Sequence, residues 1–238
     1  AEDPLQPESL DALEFGYKAD IGNNIQVDVA HYIYTYENLQ QFVTAMGVPD
    51  VENLPESEIK GIDANIKYVN EDGFYLQAGI STIDSEAVDT TGSTFVEGAR
   101  LGNSPDLSYN LLAAQEFELS GGNYLTLTGN IAHTGKQVRI TETAGATPVI
   151  QQYTTPSYTL LNASLSYQFG QDQRYKLSIY GKNLTDEHFC GNQLVNDNAQ
   201  ILAPTIGTAG GGPLHLNALC RVTSASTRTA GISFGLEF

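Results

Sequence analysis

Apolar and polar residues alternate along most of this chain, with the period of two that marks β-strands lying between two unlike environments. "ALEFGYKA" sets Leu13, Phe15, Tyr17 and Ala19 against Glu14, Gly16 and Lys18. "IQVDVAHYIYTY" sets Ile25, Val27, Val29 and Ile33 against Gln26, Asp28 and Ala30. "GIDANIKYV" and "FYLQAGIST" continue the rhythm, and "LSYNLLAAQEFEL", "YLTLTGNIAHTG", "YTLLNASLSYQF", "RYKLSIYGKN" and "TAGISFGLEF" repeat it in the second half. The pattern predicts nine strands and no amphipathic helix.

The connections alternate in length. "DIGNN", "NEDG", "SGGN" and "GQDQ" read as tight turns. Long polar segments lie between them, around residues 43–57, 85–105, 141–155 and 185–226. Aromatic residues gather near strand ends, among them Phe15, Tyr17, Tyr68, Phe74, Phe117, Tyr167, Phe169 and Tyr175. A transmembrane barrel has short turns on one side, long loops on the other and aromatic girdles at both interfaces. A soluble β-sandwich also alternates. The strand length and the short–long rhythm favour the barrel.

Composition narrows the function classes. The chain has 28 acidic and 11 basic residues and a net charge of −17. Nucleic-acid binding needs a basic surface that displaces counterions, and this chain offers none. There is no apolar run of about 18 residues, so no membrane-spanning helix is expected. A barrel leaves no such run, because lipid-facing and lumen-facing residues alternate. "AEDPLQPESL" has no basic-then-apolar leader pattern.

Strand parity adds a constraint. With tight turns on the periplasmic side, nine strands begin outside and end inside. Single-chain bacterial barrels have an even number of strands, and an open edge is not tolerated in lipid. The wall therefore requires further strands, odd in number.

Several segments resemble one family. "LQPESLDALEFGYKAD", "VDVAHYIYTYENLQ", "SPDLSYNLLAAQEFEL" and "YGKNLTDEHF" are similar, in family order, to segments of TonB-dependent outer-membrane receptors, and Phe189 stands in the usual aromatic place. The resemblance implies the last nine strands of a plugged 22-stranded barrel, leaving about thirteen, an odd number, upstream. It implies residues 1–238 as the C-terminal barrel region, with the plug, the TonB-contacting region and the earlier strands preceding it. It implies TonB-coupled uptake of a scarce solute of the siderophore, cobalamin or glycan class, in the outer membrane of a Gram-negative bacterium. Phe234, Leu236 and Phe238 would form the terminal signal read by the barrel-assembly machinery. The implied partners are outer-membrane lipid, the upstream strands, the plug and TonB. A small self-closing porin and a secreted β-sandwich binding module are the rival readings.

Candidate chemistry is sparse. Asp28, Asp63, Asn65, Lys67, Asn130, Asn162 and Lys176 lie on the polar face and are candidates for lining the lumen. Cys190 and Cys220 share the long segment between the last two strands, where oxidation to a disulfide would be expected outside the cytosol. A metal site from His188, Cys190, His215 and Cys220 lacks the close cysteine pairing of structural zinc sites. Asn183-Leu184-Thr185 fits a glycosylation sequon, but reads better as a strand leaving the membrane. "GNIAHTGKQ" departs from a P-loop in spacing and ends on Gln137 where Ser or Thr is needed. His31 falls on an otherwise apolar face, and His133 stands alone. No catalytic motif is present, and no cofactor is called for.

Overall fold

The alternating runs become strands of a single antiparallel sheet. The computed structural model describes residues 4–45, 48–102, 104–142, 150–194, 219–222 and 227–236. Its strands are β1 (Ser9–Ile21), β2 (Ile25–Ala45), β3 (Val48–Val69), β4 (Phe74–Asp89), β5 (Leu107–Leu119), β6 (Asn123–Thr134), β7 (Gln137–Glu142), β8 (Ile150–Thr155), β9 (Tyr158–Phe169), β10 (Tyr175–Lys182), β11 (Cys190–Leu194), β12 (Leu219–Val222) and β13 (Thr229–Leu236). Among the described residues, a nine-stranded sheet runs β1-β2-β3-β4-β5-β6-β9-β10-β13. It contains all nine strands predicted from alternation. β7–β8 and β11–β12 form separate two-stranded sheets. The main sheet is open, with β1 and β13 at its edges. Among the described residues, no second sheet of comparable size covers it, as a sandwich would require. No described helix is long and apolar enough to cross a membrane, which says nothing about strands.

The register sorts the residues by face. One cross-strand row reads Val27, Ile66, Ala78, Leu111, Ile131 and Leu161. Another reads Leu127, Leu165, Ile179 and Ile232. These side chains are solvent-facing in the isolated chain: Leu127 is 51% exposed, Ile179 53% and Ile232 71%. A continuous apolar face of this size on a soluble protein would drive association. Against lipid it is the required surface. The opposite face carries Gln26, Lys67, Gln77, Leu112, Asn130 and Asn162 in one row. Because side chains alternate, this polar row lies beside the apolar one throughout.

Aromatics border the apolar face. At the tight-turn end Tyr167, Phe169, Tyr175 and Phe234 form a chain of stacked rings, with centroids 5.1, 5.4 and 6.2 Å apart. Tyr109 stacks on His133 at 4.6 Å towards the other end. From Tyr109 to Phe117 β5 rises about 27 Å, or about 20 Å of height at a strand tilt near 40°, close to the apolar band of an outer-membrane barrel.

The turns are built locally. In the turn before β4, the Asn70 carboxamide accepts the Phe74 N–H at 2.7 Å. Gly73 supplies the positive φ of 79° that closes it. Its carbonyl then accepts the Glu116 N–H at 2.9 Å, tying this turn to β5.

At the opposite end the long polar segments are more ordered than expected. Residues 43–57 are not a loop: β2 and β3 stay paired up to Ala45 and Val48. Polar residues can extend a hairpin beyond the membrane because the backbone ladder, not apolar burial, carries the pairing. Within residues 85–105, β4 continues to Asp89, and the remainder folds back. Phe95 and Leu101 are buried there against Leu54 and Ala87, with Leu39 and Ile59 packed around them. Burial of a side chain such as Phe95 contributes about 1.5–3 kcal/mol. Residues 141–155 include the end of β7 and all of β8, and residues 185–226 include the turn at 185–189 together with β11 and β12; the rest of these two segments lies outside the described residues.

Candidate functional site

The polar face forms a continuous wall, and its residues reach one another through the register. Asp28 lies opposite Asn65, whose Nδ2 donates to the Asp28 carboxylate at 3.3 Å. Lys67 sits over the Tyr75 ring at 5.7 Å. Asp63 lines a groove with Ser81, Ser108, Asn110 and Thr134. Gly79 forms its floor, where a Cβ would stand 2.6 Å from the Asn110 amide oxygen and 2.7 Å from that of Asn65. The glycine thus lets two carboxamides converge from the neighbouring strands.

A second patch spans β5, β6, β9 and β10. Asn130 donates to the Leu111 carbonyl at 3.3 Å, and Asn162 donates to Asn130 Oδ1 at 3.1 Å. Asn162 Oδ1 accepts the Asn183 N–H at 2.9 Å. Asn183 is 2% exposed. Its Nδ2 donates to the Glu187 carbonyl and its Oδ1 accepts the Glu187 N–H, each at 2.9 Å. Leu184 N–H donates to the Leu161 carbonyl at 2.8 Å. The polar run "KNLTDE" is therefore a turn fastened to the wall as β10 ends. Just beyond it, Phe189 stacks on Tyr158 with centroids 4.0 Å apart. Arg228 reaches Asp186 at 3.8 Å across the same corner, an exposed pair worth no more than about 1 kcal/mol.

The predicted lumen residues thus separate into two patches. Asp28, Asp63, Asn65 and Lys67 belong to β2–β3, and Asn130 and Asn162 to β6–β9, with β4 and β5 between. Lys176 stands on the same face near the tight turns, opposite Gln168 and Gly235. His31 lies on the apolar face opposite Phe15 and Ile62. His133 is on that face too, with Nδ1 2.8 Å from the Thr159 hydroxyl. Phe234 and Leu236 lie on β13, and Phe238 lies outside the described residues. In β11–β12, Cys190 pairs with Val222 and Cys220 with Gln193, so both cysteines fall in one small sheet. His215 lies outside the described residues.

Sequence reasoning did not single out Asn110, Gly79, Lys182 or the contacts of the loop that follows β4. Gly79 had a signal: it interrupts the polar positions Gln77 and Ser81. The loop contacts had none, since Glu52 and Thr94 are far apart in sequence. Glu52 accepts both the Thr94 N–H at 3.0 Å and its hydroxyl at 2.7 Å. Gly98 N–H donates to the Ala87 carbonyl, and Ala87 N–H to that of Ala99. Ser85, Ala87 and Ile83 share the strand parity of the polar face, so this loop folds inward over the wall rather than outward.

The sequence family described as TonB dependent receptor-like, beta-barrel matches residues 1–184. The chain belongs to this family. TonB-dependent receptors are outer-membrane proteins of Gram-negative bacteria, and they are transporters rather than enzymes. Among curated proteins, none matches the sequence. The fold is similar to that of the ferric yersiniabactin uptake receptor FyuA from Yersinia pestis, at 17% identity and a TM-score of 0.68, over 97% of this chain and 30% of that one. It is similar to the pyoverdine outer-membrane receptor FpvA from Pseudomonas aeruginosa PAO1, at 16% identity and a TM-score of 0.67, over 98% and 30%. It is similar to BauA, the ferric preacinetobactin receptor from Acinetobacter baumannii, at 18% identity and a TM-score of 0.62, over 96% and 29%. The chain thus spans less than a third of these receptors' length. In this TonB-dependent receptor chain, the sheet has one apolar and one polar face.

Proposed function

We propose that this chain is the C-terminal part of the barrel wall of a receptor that imports a scarce solute across the outer membrane with energy supplied through TonB. The observation that carries this reading is the two-faced nine-stranded sheet, apolar outside and hydrogen-bonding inside. Its open edges need upstream strands, since unpaired backbone is not tolerated in lipid. A plug in the lumen and TonB on the periplasmic side are the partners this architecture calls for. Outer-membrane lipid and the assembly machinery complete them, with Phe234, Leu236 and Phe238 as the assembly signal.

The solute is of the ferric siderophore class. The similar structures named above are receptors of ferric yersiniabactin, pyoverdine and ferric preacinetobactin, which supports this class over cobalamin or a glycan. The inward-folded loop carrying Phe95 and Leu101, and the Tyr158–Phe189 pair, would form part of the vestibule. The test is uptake of radiolabelled iron, supplied as a panel of ferric siderophores, by iron-starved cells with and without the receptor and TonB. Uptake of at least one complex that needs both supports the reading. Uptake that persists without TonB supports a passive porin and contradicts it.

A further inference from the structure

A groove of about 220 Å³ on the polar wall is lined by Thr128, Asn130, Asn162, Ser164, Tyr180 and Lys182. These residues are brought together by the register: Thr128 pairs with Ser164 and Asn130 with Asn162, while Tyr180 pairs with Ser164 from the other side. All project from the polar face. The only charged group in the lining is the Lys182 ammonium. Four larger grooves among the described residues each include a carboxylate: Asp50 and Glu52, Asp84 and Asp106, Asp20, or Asp63. In a chain with a net charge of −17, a cation-centred groove without an acid is a distinct environment.

Polar side chains border the groove, although its surface is mostly apolar. Lys182 makes no ion pair among the described residues; its Nζ rests 5.9 Å from the Tyr180 ring centroid. The hydroxyls of Thr128, Ser164 and Tyr180 form no hydrogen bond among the described residues. The carboxamides of Asn130 and Asn162 are fixed by the chain of bonds from Leu111 to Asn183, and each retains one amide hydrogen. Donors held in place beside one cation suit an acceptor that carries negative charge.

We propose that this groove is an anion subsite that takes a carboxylate group of a solute passing through the barrel. Lys182 supplies the charge, and Ser164 and Thr128 supply hydrogen bonds to the carboxylate oxygens, while the Tyr180 ring leans the other way, over Gly231. The proposal rests on the reading of the polar face as a transport lumen.

The test uses the full receptor in outer-membrane vesicles carrying Ser164→Cys, with the parent chain as background. Modification rates are compared for an anionic thiol reagent, sulfonatoethyl methanethiosulfonate, and a cationic one, trimethylammonioethyl methanethiosulfonate. Lys182 is a diagonal neighbour of Ser164, and a single ammonium about 8 Å away changes the anion-to-cation rate ratio by about fivefold in water. The ratio should fall by that factor when Lys182→Gln is added, and sodium succinate should slow the anionic reagent only while Lys182 is present. An unchanged ratio overturns the subsite. So does failure of Ser164→Cys to react in either background, because the groove would then be closed to solutes. Leu165→Cys serves as the control for the underlying reading. If it reacts with the aqueous reagents faster than Ser164→Cys, the assignment of the lumen face itself fails.

Discussion

Asn183 holds both backbone groups of Glu187, accepting its N–H and donating to its carbonyl at 2.9 Å each. One carboxamide thereby substitutes for a strand partner where β10 ends. Its own backbone N–H is taken by Asn162. Asn183→Ala removes both side-chain bonds and leaves buried groups unpaired, at a cost of about 1–3 kcal/mol. Asn183→Asp keeps the acceptor but sets a buried carboxylate oxygen against the Glu187 carbonyl, so it should cost at least as much as the alanine. Thermal unfolding of the receptor in detergent, followed by heat-modifiable gel migration, should place both variants below the parent.

Glycine at position 61 is set by its neighbours. A Cβ there would fall inside contact distance of the Thr82 carbonyl and the Tyr32 hydroxyl. Tyr32 itself reaches across β3 to donate to the Thr82 carbonyl at 3.3 Å. Gly61→Ala should therefore lower the yield of assembled barrel. Gly129→Ala, on the apolar face with nothing within 4 Å of the added atom, should leave it unchanged. Equal yields for both would contradict the packing described.

The loop that follows β4 should undock without unfolding the wall. Phe95→Ala removes a side chain that is 6% exposed, with an expected cost of about 3–5 kcal/mol to the loop's packing. Protease cleavage between residues 90 and 106 on intact cells should rise several-fold, while heat-modifiable migration stays that of the parent.

The same loop should respond to acid. Asp89 is held below the usual carboxylate value, chiefly by the Thr91 N–H at 2.9 Å and then by the Thr91 hydroxyl. A depressed carboxylate stabilises above its unfolded pKa, and that contribution is lost as pH falls through the folded one. Amide exchange at Thr91, corrected for its intrinsic pH dependence, should be most protected above about pH 4 and lose protection below. Asp89→Asn should remove the dependence.

We further propose that Cys190 and Cys220 are joined. Peptide mapping of protein alkylated without reduction should recover the two as one cross-linked pair. Alkylation of both cysteines before reduction would refute the bond.

The wall was legible because alternation is written residue by residue. Leu161, Ala163, Leu165 and Tyr167 against Asn162, Ser164 and Ser166 leave one choice of face, and the register follows. The upper part of the β2–β3 hairpin was not legible. "NLPESEIK" is polar, contains Pro55 and carries no lipid-facing stripe, so it read as loop. Its strand character comes from backbone pairing and from Leu54 burial under a loop about 40 residues away, neither visible in local pattern. The candidate lumen residues share the polar face of the sheet, as alternation implied, but their division into two patches depends on strand order.

The account stands on which face of the sheet meets lipid, and a nitroxide scan along β9 in outer-membrane vesicles tests it most directly. Labels at positions 161, 163, 165 and 167 should collide freely with oxygen and poorly with a water-soluble nickel chelate. Labels at 162, 164 and 166 should show low oxygen access and, where any collision occurs, favour the nickel chelate. A uniform profile, or one displaced by a single residue, would contradict the membrane barrel described here.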